Sequence, residues 1–271
     1  MDRLTEPFQL TFMQHAFAAS LLIGLTCGVL GVYVVLRRMA FIGDAVSHTV
    51  MPGLVAAYTQ GWSLLGGALV SGIVTALGIG WISRRGLVRE DTAIGVVFTG
   101  LFALGVVMIS ATKSFKDVNN LLFGNVLGVT PEDVAMIAGS ALVVCAVLAL
   151  LHKELELTSF DPIHAQVAGL NADVVRYVLL FLLVLAVVVG IQAVGVVLLS
   201  GLLITPAATA SLLTNRLQRM MLLSVVDAFV SVTIGLYASY YFNVSTGGAI
   251  VLAAAAIFVV VSGVRAAKSA L

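Results

Sequence analysis

Charged side chains are scarce in this 271-residue chain: Asp, Glu, Lys and Arg make up 10% of it, against 61% apolar residues. A soluble domain carries about 25% charged residues, and so few could not keep a surface of this size in water. The deficit excludes a soluble enzyme, a nucleic-acid binder and a disordered chain. It leaves an integral membrane protein, in keeping with a mean hydropathy of +1.13. Cysteine is nearly absent as well. Cys27 and Cys145 both sit inside apolar runs, which argues against a disulfide framework or a cysteine metal site. There is no G-x-x-x-x-G-K-S/T phosphate loop, no H-E-x-x-H and no G-x-S-x-G. Neither nucleotide hydrolysis nor the commonest intramembrane hydrolase chemistry is therefore expected of this chain. The apolar runs do not alternate with polar residues, so a β-barrel is excluded too. Met1 to Gln14 hold Asp2 and Glu6 and lack a basic start, so no cleavable signal peptide is expected.

What the chain does contain is long apolar runs. At about 20 residues per crossing, they predict an all-α polytopic transmembrane helical bundle of about nine spans. These fall at 15–36, 41–58, 62–83, 92–112, 132–151, two within 177–213, 220–241 and 248–264. The 177–213 run is too long for one helix, and Gln192 and Gly195 offer a turn near its middle. The layout describes one transmembrane domain over 1–271, with a polar segment at about 153–173. Eleven of the 14 basic residues cluster at alternate boundaries, among them Arg37, Arg38, Arg84, Arg85, Lys153, Arg176 and Arg265. The positive-inside rule then puts the N-terminus outside and the C-terminus in the cytoplasm. Trp62, Tyr240, Tyr241 and Phe242 fall at outer boundaries, where amphipathic rings prefer to lie. Gly24 and Gly28, four apart, permit close helix packing.

Of 13 acidic residues only Asp44 and Asp227 fall inside expected spans. An ionisable group there costs about 2.5–3.5 kcal/mol on the lenient insertion scale, and usually faces a cavity or a pathway. Asp44 and His48 stand at i and i+4, on one helical face. A carboxylate with a neutral imidazole suits a borderline first-row cation; a buried ion pair is the alternative reading. Pro52 and Gly53 predict a bend just beyond the pair. Asp227, at a similar depth, is a third ligand, a proton acceptor or a carboxylate bonded to a neighbouring helix. Asp161-Pro162 starts and Gly169 stops a short amphipathic helix across the cytoplasmic face. Whether 114–130, with its Phe-Gly-Asn, dips back into the membrane is left open by its composition.

Several stretches spread in order over nearly the whole chain carry a family resemblance. They are Val35-Leu36-Arg37-Arg38-Met39-Ala40-Phe41-Ile42-Gly43-Asp44-Ala45-Val46-Ser47-His48, Arg89-Glu90-Asp91-Thr92-Ala93-Ile94-Gly95 and Leu122-Phe123-Gly124-Asn125-Val126-Leu127-Gly128-Val129. Ser159-Phe160-Asp161-Pro162, Gln192-Ala193-Val194-Gly195-Val196, Leu203-Ile204-Thr205-Pro206 and Gly235-Leu236-Tyr237-Ala238-Ser239-Tyr240-Tyr241 follow. The sequence resembles the metal-ion permeases of ABC importers, for manganese, zinc or ferrous iron. It also resembles, over 192–227, the cobalamin and siderophore importer permeases, a larger relative.

The resemblance implies a permease subunit of a bacterial cell membrane importer, itself not an enzyme. It implies a homodimer, an ATP-binding cassette subunit docked through the helix from Ser159 to Gly169, and an extracytoplasmic metal-binding protein. No permanently bound cofactor is expected; the divalent metal is the transported substrate. Membrane lipid surrounds the chain and no nucleic acid is involved. The family's metal site maps onto Asp44 and His48, whereas Asp227 departs from the small residue expected there. The coupling residues would be Ser159, Phe160, Asp161, Pro162 and Gly169. Two other readings stand beside this one. The first is an ion- or proton-coupled secondary transporter using Asp44 and Asp227, disfavoured by the lack of an evident inverted repeat. The second is a membrane scaffold in which Asp44 and His48 are a structural pair.

Overall fold

The computed structural model describes residues 9–84, 88–111 and 126–269. Most of the 114–130 stretch therefore lies outside the described residues, as do Arg3, Arg85, Lys113 and Lys116; Val126–Gly128 forms a single 3-10 turn. Apart from 3-10 residues at Gln9 and Arg84, all other regular structure among the described residues is α-helical. The long helices are α1 (Thr11–Leu36), α4 (Leu64–Ile82), α5 (Glu90–Ala111), α6 (Pro131–Leu150), α9 (Ala172–Val194), α10 (Val196–Leu213), α11 (Leu217–Phe242) and α12 (Thr246–Ser269). Short ones are α2 (Ile42–Thr49), α3 (Met51–Gln60), α7 (His152–Phe160) and α8 (Pro162–Val167). Eight helices among the described residues are long and apolar enough to cross a membrane, as expected for segments that must satisfy their backbone internally in lipid.

The second expected span is the broken one. α2 and α3 meet at Val50, and Pro52 stands in the first turn of α3. Proline has no N–H to give to the His48 carbonyl one turn back, and its ring crowds that carbonyl. The Ser71 hydroxyl of α4 donates to the Thr49 carbonyl at 2.6 Å, so part of the broken ladder is repaired from a neighbouring helix. The 177–213 run divides where the sequence offers a turn. Gly195 alone separates α9 from α10, with φ of 80° and ψ of 169° that only glycine takes readily. Elsewhere the helix starts are locally specified: Ser63 accepts from the Gly66 N–H, and Thr130 with Asp133 forms a reciprocal capping box ahead of Pro131.

α1 is the axis of the packing. It lies against α10, α11 and α6, and Ala16, Ala19, Leu30 and Tyr33 are fully buried. Apolar side chains gain little by leaving lipid for protein, so association here rests on close van der Waals packing of small residues. Gly24 and Gly28 face α11: a Cβ on Gly24 would meet Ala228 at 3.5 Å, and one on Gly28 would meet the Val225 backbone at 3.2 Å. Gly31 is tighter still, since a Cβ there would overlap the Leu203 carbonyl of α10. α12 is the opposite case, with Leu252, Val259, Val260 and Val264 all exposed to the surroundings.

The boundaries marked by basic residues meet at one end of the bundle. Arg37, Ser83, Arg84, Glu90, His152, Asp173 and Arg176 are joined there by polar contacts, and Arg265 donates to the Leu212 carbonyl at 2.6 Å. The contrast along α1 gives a direct test. Gly31→Ala should cost on the order of 1–3 kcal/mol through overpacking, while Gly24→Ala should be neutral or gain up to about 1 kcal/mol of helix propensity. Thermal unfolding of the two variants in the same detergent measures the difference.

Candidate metal site and coupling segment

α1 closes with Arg38 in the left-handed region (φ 59°). The Met39 N–H returns to the Val34 carbonyl at 2.9 Å, and the Arg38 N–H returns to Val35 at 3.1 Å. This Schellman-type ending turns the chain sharply into α2. α2 packs on α4, α5, α9 and α10, and Gly43 sits against the Leu203 side chain, which holds the face bearing Asp44 and His48 away from α10.

Asp44 Oδ1 lies 3.7 Å from His48 Nε2, with the two side chains 51% and 31% exposed. That separation is too long for a hydrogen bond. His48 Nδ1 is buried and has no hydrogen-bond partner. The hydroxyls around the pair are engaged within α2 itself: Ser47 donates to the Gly43 carbonyl at 2.7 Å and Thr49 to the Val46 carbonyl at 3.2 Å. A carboxylate and an imidazole therefore stand together with their donor atoms uncommitted. Phe98 and Phe102 of α5 flank the ring, with centroids 6.0 and 5.5 Å from it and 5.7 Å from each other. They restrict the imidazole and keep one side of it dry. A cavity of about 280 Å³ opens beside Asp44, lined by Phe41, Ala45, Asp91, Ile94, Gly95 and Phe98. Asp91 is the second carboxylate on that wall; the sequence placed it only at a helix boundary.

The structure does not bring Asp227 to this pair. It lies on α11, which packs on α1, α10 and α12, and no cluster of three or more His, Cys, Asp or Glu suited to a metal exists among the described residues. Asp227 is 8% exposed and accepts from the Ser231 hydroxyl at 3.4 Å.

The polar segment is more ordered than its composition suggests: α7 fills 152–160 before the expected short helix begins. Asp161 accepts from the His164 N–H at 2.9 Å, Pro162 is the first residue of α8, and Gly169 (φ 85°) follows its end. Phe160, Ile163 and Val167 are 56%, 76% and 81% exposed, an apolar strip that the motif reading held only at Phe160. Arg37 grips the last turn of α7: its Nη2 donates to Thr158 Oγ1 at 2.8 Å and its Nε to Ser159 Oγ at 3.2 Å. Tyr33 Oη contacts His152 Nδ1 at 3.2 Å on the same helix. Burial pushes the Arg37 guanidinium's pKa down, opposed by the nearby Glu90 carboxylate, and an arginine so placed still carries its charge. Arg176 Nε lies 2.9 Å from Glu90 Oε1, and its Nη1 lies 3.4 Å from Asp173 Oδ1.

Residues 9–265 match the ABC 3 transport family. The chain belongs to that family. It is 45% identical over 250 residues, 92% of this chain and 89% of the relative, to the manganese transport system membrane protein MntC of Listeria monocytogenes. It is 40% identical over 259 residues, 96% of each, to the "Probable iron transport system membrane protein" of Haemophilus influenzae. Among solved structures, PsaBC from Streptococcus pneumoniae in complex with Fab superposes with a TM-score of 0.82 at 35% identity, over 95% of this chain and 94% of that one. The ABC 3 family member described here is thus the multi-pass permease subunit of a bacterial plasma-membrane metal importer. ATP hydrolysis belongs to a separate subunit, and a substrate-binding protein completes such a system.

The separation of Asp227 from the pair makes a prediction for metal binding. Manganese affinity of Asp227→Asn should stay within about twofold of the unmodified protein, as for distant, independent sites. Titration of the purified permease with Mn²⁺, followed by electron paramagnetic resonance, reads it. A loss of about tenfold or more would put Asp227 in the coordination environment after all.

Proposed function

We propose that the chain imports manganese, with zinc or ferrous iron as the nearest alternatives, through a homodimeric pathway in which Asp44 and His48 hold the ion in transit. The uncommitted donors of this pair, set beside a cavity in a broken span, carry the reading. The 3.7 Å separation is also that of a loose ion pair; the unpartnered His48 Nδ1 and the adjoining cavity favour the ligand reading. A carboxylate with an imidazole suits all three ions; manganese is favoured by the likeness to the manganese transport system membrane protein of Listeria.

Two protein donors per chain hold a cation without the closed four-ligand cage of a structural zinc site, which suits an ion that must leave again. A second copy facing the half-exposed Asp44 would double the donors and enclose the ion between chains. Ser159, Phe160, Asp161, Pro162 and Gly169 form the seat of the ATP-binding subunit, and the exposed strip of Phe160, Ile163 and Val167 supplies apolar contacts for it. ATP binding and hydrolysis there drive alternating access as a rigid-body movement of packed helices.

The decisive experiment replaces both ligands. Asp44→Ala with His48→Ala should reduce uptake of radioactive manganese to background while the permease still co-purifies with its ATP-binding subunit. Normal uptake by the double variant would falsify the proposal, and uptake that survives ATP depletion would point instead to an ion-coupled secondary transporter.

A further inference from the structure

Two sets of polar contacts lie at the Arg-rich end, one on the coupling segment and one at the foot of α5. Arg37 holds the last turn of α7, immediately before the Asp161 cap of α8. Glu90 pairs with Arg176 at 2.9 Å, and Arg176 stands near the start of α9, which follows the coupling segment and packs on α7 and α8. The paired side chains are only 20% and 23% exposed, and a partly desolvated pair is screened less than a surface one. Glu90 is also the first residue of α5, where a negative charge is favoured by the helix dipole.

α5 packs on α2, α3 and α4, and its defined tie to α9 is this ion pair. From Glu90 the helix runs about 12 Å to Phe98 and about 18 Å to Phe102, at 1.5 Å per residue. Those two rings bear on His48, while Asp91, Ile94 and Gly95 line the cavity next to Asp44. Displacing the foot of α5 thus displaces the wall of the metal site as one rod.

We propose that the Glu90–Arg176 ion pair is a positioning element that conveys movement of the coupling segment, through α5, to the Asp44–His48 pair. The proposal rests on the reading of Asp44 and His48 as ligands of the transported ion. It assigns Glu90 no contact with metal. Its loss therefore lowers the rate of transport and leaves the metal concentration for half-maximal transport unchanged.

The test uses the permease assembled with its ATP-binding subunit in proteoliposomes, supplied with manganese-loaded binding protein. Glu90→Gln and Arg176→Gln should each lower the transport rate on the order of tenfold. In both, KM for manganese should be unchanged, the basal ATPase retained, and stimulation by the loaded binding protein lost. Arg176→Lys keeps the charge and should keep most of the transport. The inference is overturned if Glu90→Gln transports at the unmodified rate. It is equally overturned if both glutamine variants fail to assemble with the ATP-binding subunit, or if Arg176→Lys is as defective as Arg176→Gln. Asp44→Ala in the same assay keeps the two readings apart. Normal transport by that variant would remove the metal-site reading whatever Glu90 does; an inactive Asp44→Ala beside a normal Glu90→Gln would remove only the present inference.

Discussion

A hydrocarbon slab offers neither water for a backbone carbonyl nor counter-ions for a carboxylate, and the arrangement of this permease follows from that constraint. At the break in the second span Ser71 donates to the Thr49 carbonyl, and between α9 and α10 the chain turns on the positive φ of Gly195. Side chains that carry charge collect at the ends, where the same scarcity of water that excludes them from the centre strengthens their pairing. Small residues then set the distance between helices, because burial in protein gains an apolar group little over burial in lipid.

The two intramembrane carboxylates meet the constraint in different ways. Asp227 is enclosed by α1, α10 and α12 beside the Ser231 hydroxyl, a local polar contact inside the bundle. Asp44 keeps half of its surface open to a cavity and has no hydrogen bond to its nearest basic neighbour. The difference between them is one of accessibility: Asp44 is half exposed and Asp227 is buried. At the Arg-rich end the Arg37 guanidinium ties α1 to α7, and that of Arg176 serves partners at the ends of α4, α5 and α9 at once. Shared partners of this kind couple residues that single surface ion pairs leave independent.

Much of this is legible in the sequence because apolar runs are continuous and charges are few. The spans, the split at Gly195 and the break at Pro52 all follow from residues whose backbone preferences are strong. Asp44 and His48 stand out because an i, i+4 pair of polar donors inside an apolar run has few structural uses. Phe98 and Phe102 do not stand out, since an aromatic in an apolar helix looks the same whether it meets lipid or an imidazole. Asp227 shows the matching limit: sequence gives depth along the helix axis but not the direction in which the helix faces. α7 escapes for another reason. His152-Lys153-Glu154-Leu155-Glu156 has no apolar stripe, and its helix is held by Tyr33 and Arg37, residues more than a hundred positions away.

The break at Val50 has a mechanical meaning. Proline has already removed one backbone hydrogen bond there, so a change of angle between α2 and α3 strains fewer bonds than in an unbroken helix, chiefly Leu54 N–H to Val50 and Ser71 to Thr49. Both donor groups lie on the same side of that joint, within the eight residues of α2. Bending therefore carries Asp44 and His48 together and leaves their mutual spacing intact. The two groups thus behave as one rigid unit whatever the angle between α2 and α3.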